Sequence, residues 1–118
     1  GDTRRMHEVG LMQEAVGIAG HHAREAGATR IRMIRVRIGE SSGVVREALE
    51  FAFEAVTEGT MAEGAALDIE VTPTICHCAG CASEFKPANV FRECPSCGSL
   101  STDIVQGMEL ELTSLEVT

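Results

Sequence analysis

The stretch CHCAGC at residues 76–81, followed after twelve residues by CPSCG at residues 94–98, decides how this chain is organised. Two Cys-x-x-Cys pairs at this separation, Cys78/Cys81 and Cys94/Cys97, can present four sulfurs to one tetrahedral ion. Zinc is the metal that such a thiolate set favours, and iron is its main competitor. A site closed by four protein ligands keeps no open position, so the pattern predicts structural rather than catalytic zinc.

Two further residues of this stretch leave alternatives open. Cys76 can replace Cys78 in a wider pair with Cys81, although the tighter Cys-x-x-Cys spacing is preferred. His77 can also bind a metal, but a surface histidine is the simpler interpretation. All five cysteines fall within residues 76–97, which is untypical of a disulfide scaffold. A redox dithiol at Cys94 and Cys97 is a further hypothesis, disfavoured because a second cysteine pair lies nearby.

The residues on either side of the cysteines show periodic patterns of a different kind. Apolar positions predict helices at 9–26 and 44–58. Alternation predicts strands at 31–38, 66–72 and 107–117. Residues 74–102 fit neither pattern and are rich in Cys, Ser, Pro and Gly, so we expect an inserted lobe that a metal organises.

The charges on the predicted strands indicate how those strands pair. Arg35 and Arg37 alternate with apolar residues on one strand, and the other two strands carry acids, namely Asp68, Glu70, Glu109 and Glu111. Opposite charges on adjacent strands stabilise a solvated sheet face. The fold class we predict is α+β or α/β with two layers: two helices on one face of a three-stranded mixed sheet, with an inserted zinc-ribbon-like four-cysteine lobe.

Domain limits follow from these patterns. Residues 6–73 plus 103–118 are expected to form the α/β domain, and 74–102 the zinc-binding domain. Residues 1–5 are expected to be a tag or an upstream extension.

The overall charge narrows the class of function. Ten basic and eighteen acidic residues give a net charge of −8. That balance disfavours nucleic acid and anionic membranes as partners, because Lys and Arg supply most phosphate affinity. No signal peptide or membrane span is recognisable, so a cytoplasmic location is expected.

The segment Met6-His7-Glu8 lies just before the first predicted helix. A lone histidine there is more often a solvated surface group. If Met6 is the native start, however, its amine, backbone nitrogens and the His7 imidazole can enclose one divalent ion. Nickel(II) favours such nitrogen-rich, square-planar sites.

Taken together, these features resemble the HypA/HybF family, the nickel metallochaperones of [NiFe]-hydrogenase maturation. The resemblance runs from Met6 to Thr118. It rests on Met6-His7-Glu8, on Ile38-Gly39-Glu40, on Phe51 to Glu54, on the two cysteine pairs and on the closing Ser114-Leu115-Glu116-Val117. The order and spacing of these motifs are more specific than any one of them.

The resemblance implies a protein that is not an enzyme. It implies that His7, with Met6 and an assisting Glu8, binds the nickel that is transported, while Cys78, Cys81, Cys94 and Cys97 hold structural zinc. The implied partners are a HypB-type GTPase and the hydrogenase large subunit, with urease maturation proteins in some organisms. The alternative function is a zinc-ribbon adaptor that binds protein or nucleic acid. The sequence leaves open a monomer or a homodimer, including a domain-swapped dimer.

Overall fold

The computed structural model describes the backbone of residues 2–100 and 102–118, and the side chains of residues 7–100 and 102–118. Within these residues, two helices and six strands follow one another. They are α1 (Asp2–Glu25), β1 (Ile31–Gly39), α2 (Arg46–Thr57), β2 (Ala66–Thr72), β3 (Ile75–Cys78), β4 (Ser83–Phe85), β5 (Thr102–Gln106) and β6 (Leu110–Val117). None of the helices described is both long and apolar enough to span a lipid bilayer.

One three-stranded sheet has the order β2-β1-β6, with the arginine strand in the middle. Arg35 contacts Asp68 at 2.6 Å, and Arg37, two residues later, contacts Glu70, also two residues later, at 3.4 Å. Strands β1 and β2 therefore run parallel. Arg37 also contacts Glu111 at 3.2 Å. The Thr113 hydroxyl donates to the carbonyl of Arg35, which precedes Arg37, although Thr113 follows Glu111. Strands β6 and β1 therefore run antiparallel. The mixed sheet and its paired charges confirm the prediction.

The helices and the first sheet share one apolar layer. Every second residue of β1 is buried on the face opposite the arginines, namely Ile34, Val36 and Ile38. The buried stripe of α1 comprises Met12, Val16, Ala19 and Ala23, and α2 buries Leu49, Ala52 and Phe53. Burying side chains of this size contributes roughly 1.5–3 kcal/mol each for the larger ones, before chain entropy is subtracted. The two-helix, three-strand architecture therefore agrees with the predicted fold class.

Helix α1 starts seven residues earlier than the pattern at 9–26 predicts, so that Met6, His7 and Glu8 lie inside it. The prediction relied on apolar periodicity, which is recognisable only from Met12 onward. The polar residues 2–5 contain no Gly or Pro to interrupt a helix. The helix consequently continues through a segment that the sequence pattern had placed before it.

Helix α1 ends just before Gly27, close to the predicted end at residue 26. Gly27 has φ +75°, a conformation that costs glycine little. The Gly27 N–H donates to the Arg24 carbonyl and the Ala28 N–H donates to the Ala23 carbonyl. These two bonds form a Schellman motif, which satisfies carbonyls that the helix end leaves without partners.

Helix α2 begins at Arg46, and its N-cap residue is Val45, whose side chain makes no capping hydrogen bond. The Ser41 hydroxyl, which precedes the helix, shares a 2.5 Å hydrogen bond with the hydroxyl of Thr74.

The cysteine-rich segment contains a second three-stranded sheet, of order β4-β3-β5, which the sequence patterns do not predict. Strand β3 pairs antiparallel with both neighbours: Cys76 faces Phe85 on one side and Ile104 on the other. The three strands have only three to five residues each, too few for alternation to be recognised.

The chain divides into two compact units. The first comprises Gly1–Arg37, Val44–Glu70 and Glu111–Thr118, and the second comprises Ile38–Gly43 and Val71–Leu110. The second unit thus extends beyond the expected 74–102, and β5 includes residues 103–106, which were expected in the α/β domain. The domain limits inferred from the sequence remain a prediction.

Within the second unit, two glycines bring backbone segments into contact. A Cβ on Gly39 would overlap the backbone carbonyl of Gly107. Gly107 itself has φ +116°, and a Cβ there would lie 2.7 Å from the Thr74 Cα. Only glycine fits this approach without moving the backbone.

Candidate metal centres

Four cysteine side chains of the second unit converge on one point. Cys78 ends strand β3, Cys81 lies in the turn before β4, and Cys94 and Cys97 flank the turn before β5. Their four sulfur atoms all lie within 4.8 Å of one another. In the part of the chain that the structure describes, this is the only group of three or more His, Cys, Asp or Glu side chains close enough to share an ion.

The spacing of the sulfurs fits a tetrahedral ion. The Sγ atoms of Cys78 and Cys97 are 3.6 Å apart, and those of Cys81 and Cys94 are 3.8 Å apart. A tetrahedron with Zn–S bonds of about 2.3 Å has edges of roughly 3.8 Å. A disulfide would need about 2.05 Å, and all four cysteines are free thiols. Each of these close contacts joins one cysteine from each Cys-x-x-Cys pair.

Local backbone geometry holds the second pair in place. The Gly98 N–H donates to the Cys94 carbonyl at 2.8 Å, and the Cys94 N–H donates to the Ser99 carbonyl at 2.9 Å. Gly98 has φ +74°, as expected for a glycine that closes such a turn. In the first pair the left-handed residue is Ala82, with φ 54°, which directly follows Cys81.

The turn also distributes charge unevenly among the thiols. The pKa of Cys94 is lowered from 9.0 to about 7, mainly because the Cys97 backbone N–H donates to its sulfur, although burial opposes this. The pKa of Cys81 is raised from 9.0 to about 12 by its thiol hydrogen bonds with Cys97 and then Cys94. Without a cation Cys81 therefore keeps its proton at neutral pH, and a divalent ion that binds its sulfur must displace that proton.

The two residues that the sequence left ambiguous lie on opposite faces of β3. Cys76 is fully buried and, being two residues away, shares a face with Cys78, but it is not one of the four clustered thiols. His77 faces the other way and pairs across the strands with Glu84 and Asp103. The choice of Cys78 as the ligand that accompanies Cys81 stays a prediction that this geometry favours.

The expected nickel residues lie at the start of α1. His7 is exposed, Glu8 is fully buried, and the side chain of Met6 lies outside the described residues. Neighbouring residues of a helix point about 100° apart, so the helical backbone does not direct His7 and Glu8 at a common point. In a helix the amide nitrogens of this segment also donate to carbonyls four residues earlier. The described side chains of His7 and Glu8 therefore do not form a site by themselves, and the assignment of nickel to Met6-His7-Glu8 stays a prediction.

Glu8 has an unusual environment for a carboxylate. It stands four residues before Met12 and so extends the buried stripe of α1 by one turn. Both of its carboxylate oxygens are buried and have no hydrogen-bond partner among the described atoms. Burying an uncompensated carboxylate is costly, so this group favours a cation close to it. Glu8 is among the expected nickel residues, but its burial is not predicted; its spacing of four residues from Met12 is the signal that points to it.

Comparison with known proteins connects these features. The family model described as "Hydrogenase/urease nickel incorporation, metallochaperone, hypA" matches residues 6–117. The chain belongs to the HypA family. The match begins at Met6 and spans both the four-thiol cluster and the helix that contains His7 and Glu8.

Relatives of the HypA family align along almost their whole length. The chain is 54% identical over 112 residues to the hydrogenase maturation factor HypA of Picosynechococcus sp., covering 95% of this chain and 99% of that protein. It is 44% identical over 112 residues to the factor of the same name from Geobacter sulfurreducens, with the same two coverages.

Solved structures of HypA proteins share the fold. The solution structure of the Ni metallochaperone HypA from Helicobacter pylori aligns with a TM-score of 0.67 at 30% identity, covering 93% of this chain and 96% of that one. A second solution structure of a HypA protein aligns with a TM-score of 0.73 at 32% identity, covering 96% and 97%.

Proposed function

We propose that this chain is a nickel metallochaperone that binds Ni(II) at Met6-His7-Glu8 and delivers it during [NiFe]-hydrogenase maturation. The observation that carries the proposal is the HypA family match over residues 6–117, which begins at this segment. Urease is a second recipient where an organism makes it, as the family description includes urease. The proposed action of this chain is to bind nickel and transfer it, rather than to catalyse a reaction.

The chemistry of the segment supports nickel as the cargo. An imidazole at His7, together with an amine or amide nitrogens next to it, forms the nitrogen-rich set that Ni(II) favours. Glu8 supplies a carboxylate that lacks any described partner. For backbone nitrogens to bind, the first turns of α1 must uncoil, which helix ends do at low cost in free energy.

A structural zinc ion accompanies this function in the proposal. Cys78, Cys81, Cys94 and Cys97 would hold it, since their sulfur spacing fits four thiolate ligands. When bound, zinc would neutralise the clustered thiolates and fix the two turns that carry them. Metal–thiolate bonds would then cross-link the segments around the short strands β3, β4 and β5, whose apolar core is small.

The proposed partners follow from the family. A HypB-type GTPase and the hydrogenase large subunit are the expected partners in nickel delivery, and either a monomer or a homodimer is compatible with it. The proposed location is the cytoplasm, because five free cysteines suit a reducing compartment.

The test is a nickel titration of protein that begins at Met6, compared with its His7→Ala variant. We expect the affinity of the variant to fall at least about tenfold, which corresponds to the loss of one good ligand. His21→Ala is the matched control, since His21 is another exposed histidine of α1. Equal nickel affinity in protein with and without His7 would remove the assignment.

A further inference from the structure

Strand β6 is an edge strand of the first sheet. In the order β2-β1-β6 one side of β6 pairs with β1, and no strand in the described part of the chain pairs with its other side. An open edge presents backbone N–H and C=O groups that an extended segment can pair with. At eight residues, β6 is long for an edge strand.

A groove runs along this edge inside the first unit. Ile18 and His22 of α1 form one wall, and residues 111–115 of β6 form the other, around a volume of about 520 Å³. Leu112 and Leu115 are half-buried on the strand side, and Ile18 is 44% exposed on the helix side. A strand added beside β6 would place alternate side chains against these apolar groups.

The charges of the sheet indicate what that added strand should carry. Across the solvated face the strands read acidic, basic, acidic: Asp68 and Glu70 on β2, Arg35 and Arg37 on β1, Glu111 and Glu116 on β6. Opposite charges on neighbouring strands stabilise pairing, and like charges oppose it. A fourth strand beyond β6 would have Glu111 and Glu116 as its neighbours, and these acids favour Lys or Arg.

A second copy of this chain fits the edge poorly. Pairing two β6 strands antiparallel over their full length would place Glu111 of one chain opposite Glu116 of the other, twice over. Like charges directly opposite each other destabilise a sheet. The charge pattern therefore favours a different chain as the occupant.

We propose that the β6 edge is a docking site for an extended segment of a partner protein in which apolar residues alternate with Lys or Arg. The segment adds a fourth strand to the sheet. Its apolar residues pack against Ile18, Leu112 and Leu115, and its basic residues lie beside Glu111 and Glu116. This mode of recognition uses main-chain hydrogen bonds for affinity and side-chain alternation for specificity. The site shares no residue with either candidate metal centre, and the proposal goes beyond the proposed function.

The experiment uses a blocked peptide of alternating Val and Lys, about eight residues long to match a strand. Its charge-reversed twin carries Glu in place of each Lys. We expect the Lys peptide to bind the full chain and the Glu peptide not to bind, as measured by fluorescence anisotropy. Amide NMR shifts on binding should concentrate in residues 111–117 and around Ile18 and His22. Shifts centred elsewhere, or equal binding of both peptides, would overturn the proposal.

Variants make the charge requirement explicit. The double variant Glu111→Lys/Glu116→Lys should weaken Lys-peptide binding about tenfold or more and make the Glu peptide the better ligand. Glu47→Lys/Glu54→Lys, on the exposed face of α2, changes net charge equally and should leave affinity within about twofold. Ile18→Glu should abolish binding by charging the groove. Self-association of the unmodified chain through β6, or equal effects of both double variants, would contradict the assignment.

Discussion

The Sγ atoms of Cys81 and Cys94 lie 3.8 Å apart although twelve residues separate the two cysteines, and Cys78 and Cys97 lie 3.6 Å apart. Each contact joins a cysteine of the first Cys-x-x-Cys pair to a cysteine of the second. The two ends of the loop between the pairs are therefore held close together. Such an arrangement concentrates negative charge when thiols ionise, and a cation that binds all four sulfurs relieves it.

Replacing Cys94, a thiol of the cluster, should therefore change zinc content, whereas replacing Cys76, a buried thiol outside the cluster, should not. Cys94→Ser should lose about one equivalent of tightly bound zinc per chain and the zinc-dependent part of the thermal stability. Cys76→Ser should keep its zinc, although a buried hydroxyl without a partner lowers the free energy of unfolding by about 1–3 kcal/mol. Metal analysis after gel filtration, together with thermal unfolding, distinguishes the two. Zinc loss in Cys76→Ser would indicate that Cys76 is a ligand.

Zinc affinity should fall as the solution becomes more acid. With its pKa raised to about 12, Cys81 is protonated at neutral pH and must release a proton when the metal binds. Cys94, with its pKa lowered to about 7, releases none above that pH but must release one below it. The number of displaced protons thus rises on acidification, and affinity should drop more steeply below about pH 7. Chelator competition between about pH 6 and pH 8 measures this, with Cys76→Ser as the control.

Glu8→Leu should change stability and nickel binding in opposite directions. The substitution removes a buried carboxylate that has no hydrogen-bond partner among the described residues, and it extends the apolar stripe that contains Met12. The free energy of unfolding of the metal-free protein should rise by about 1–4 kcal/mol, while nickel affinity falls. Chemical denaturation and nickel titration give the two readouts. Glu14→Leu, at an exposed position of the same helix, should leave both nearly unchanged.

Substituting two different glycines should show how much stability is lost to steric overlap and how much to a strained backbone conformation. Gly39→Ala places a Cβ against the backbone of Gly107, so the protein should unfold at a much lower temperature or fail to fold. Gly43→Ala sits at φ +80° with nothing near the new Cβ, so its cost should stay near 1 kcal/mol. Thermal unfolding of both variants provides the comparison. Equal losses would mean that the Gly39 contact relaxes easily.

The sequence predicts those parts of the fold where burial alternates with charge over several residues. Strand β2 occupies the predicted 66–72, and Arg35 and Arg37 pair with acids as expected, because one sheet face is apolar and the other solvated. The short strands β3, β4 and β5 escape prediction since turns and cysteines determine their residues. The early start of α1 escapes it as well, because polar helical turns carry no apolar period.

The sequence likewise predicts some features of the candidate sites and not others. Local spacing was enough to select the four thiols that the structure brings together, because two tight turns at a fixed separation leave few arrangements. The burial of Glu8 could not be predicted with equal ease, since an acidic residue near a helix start normally lies in solvent. The free edge of β6 depends on the order of strands in the sheet, which periodicity does not encode.

The division of the chain into interleaved segments has a consequence for its resistance to proteases. The chain passes between the two units four times, at Arg37/Ile38, Gly43/Val44, Glu70/Val71 and Leu110/Glu111. A single cut at any one crossing leaves the units joined by the other three. A cut at any of the first three crossings places His7 and the four thiols on different polypeptide fragments, and the packing of the segments within each unit then holds the nicked molecule together. One cleavage would therefore not release the cysteine-bearing unit from the folded protein.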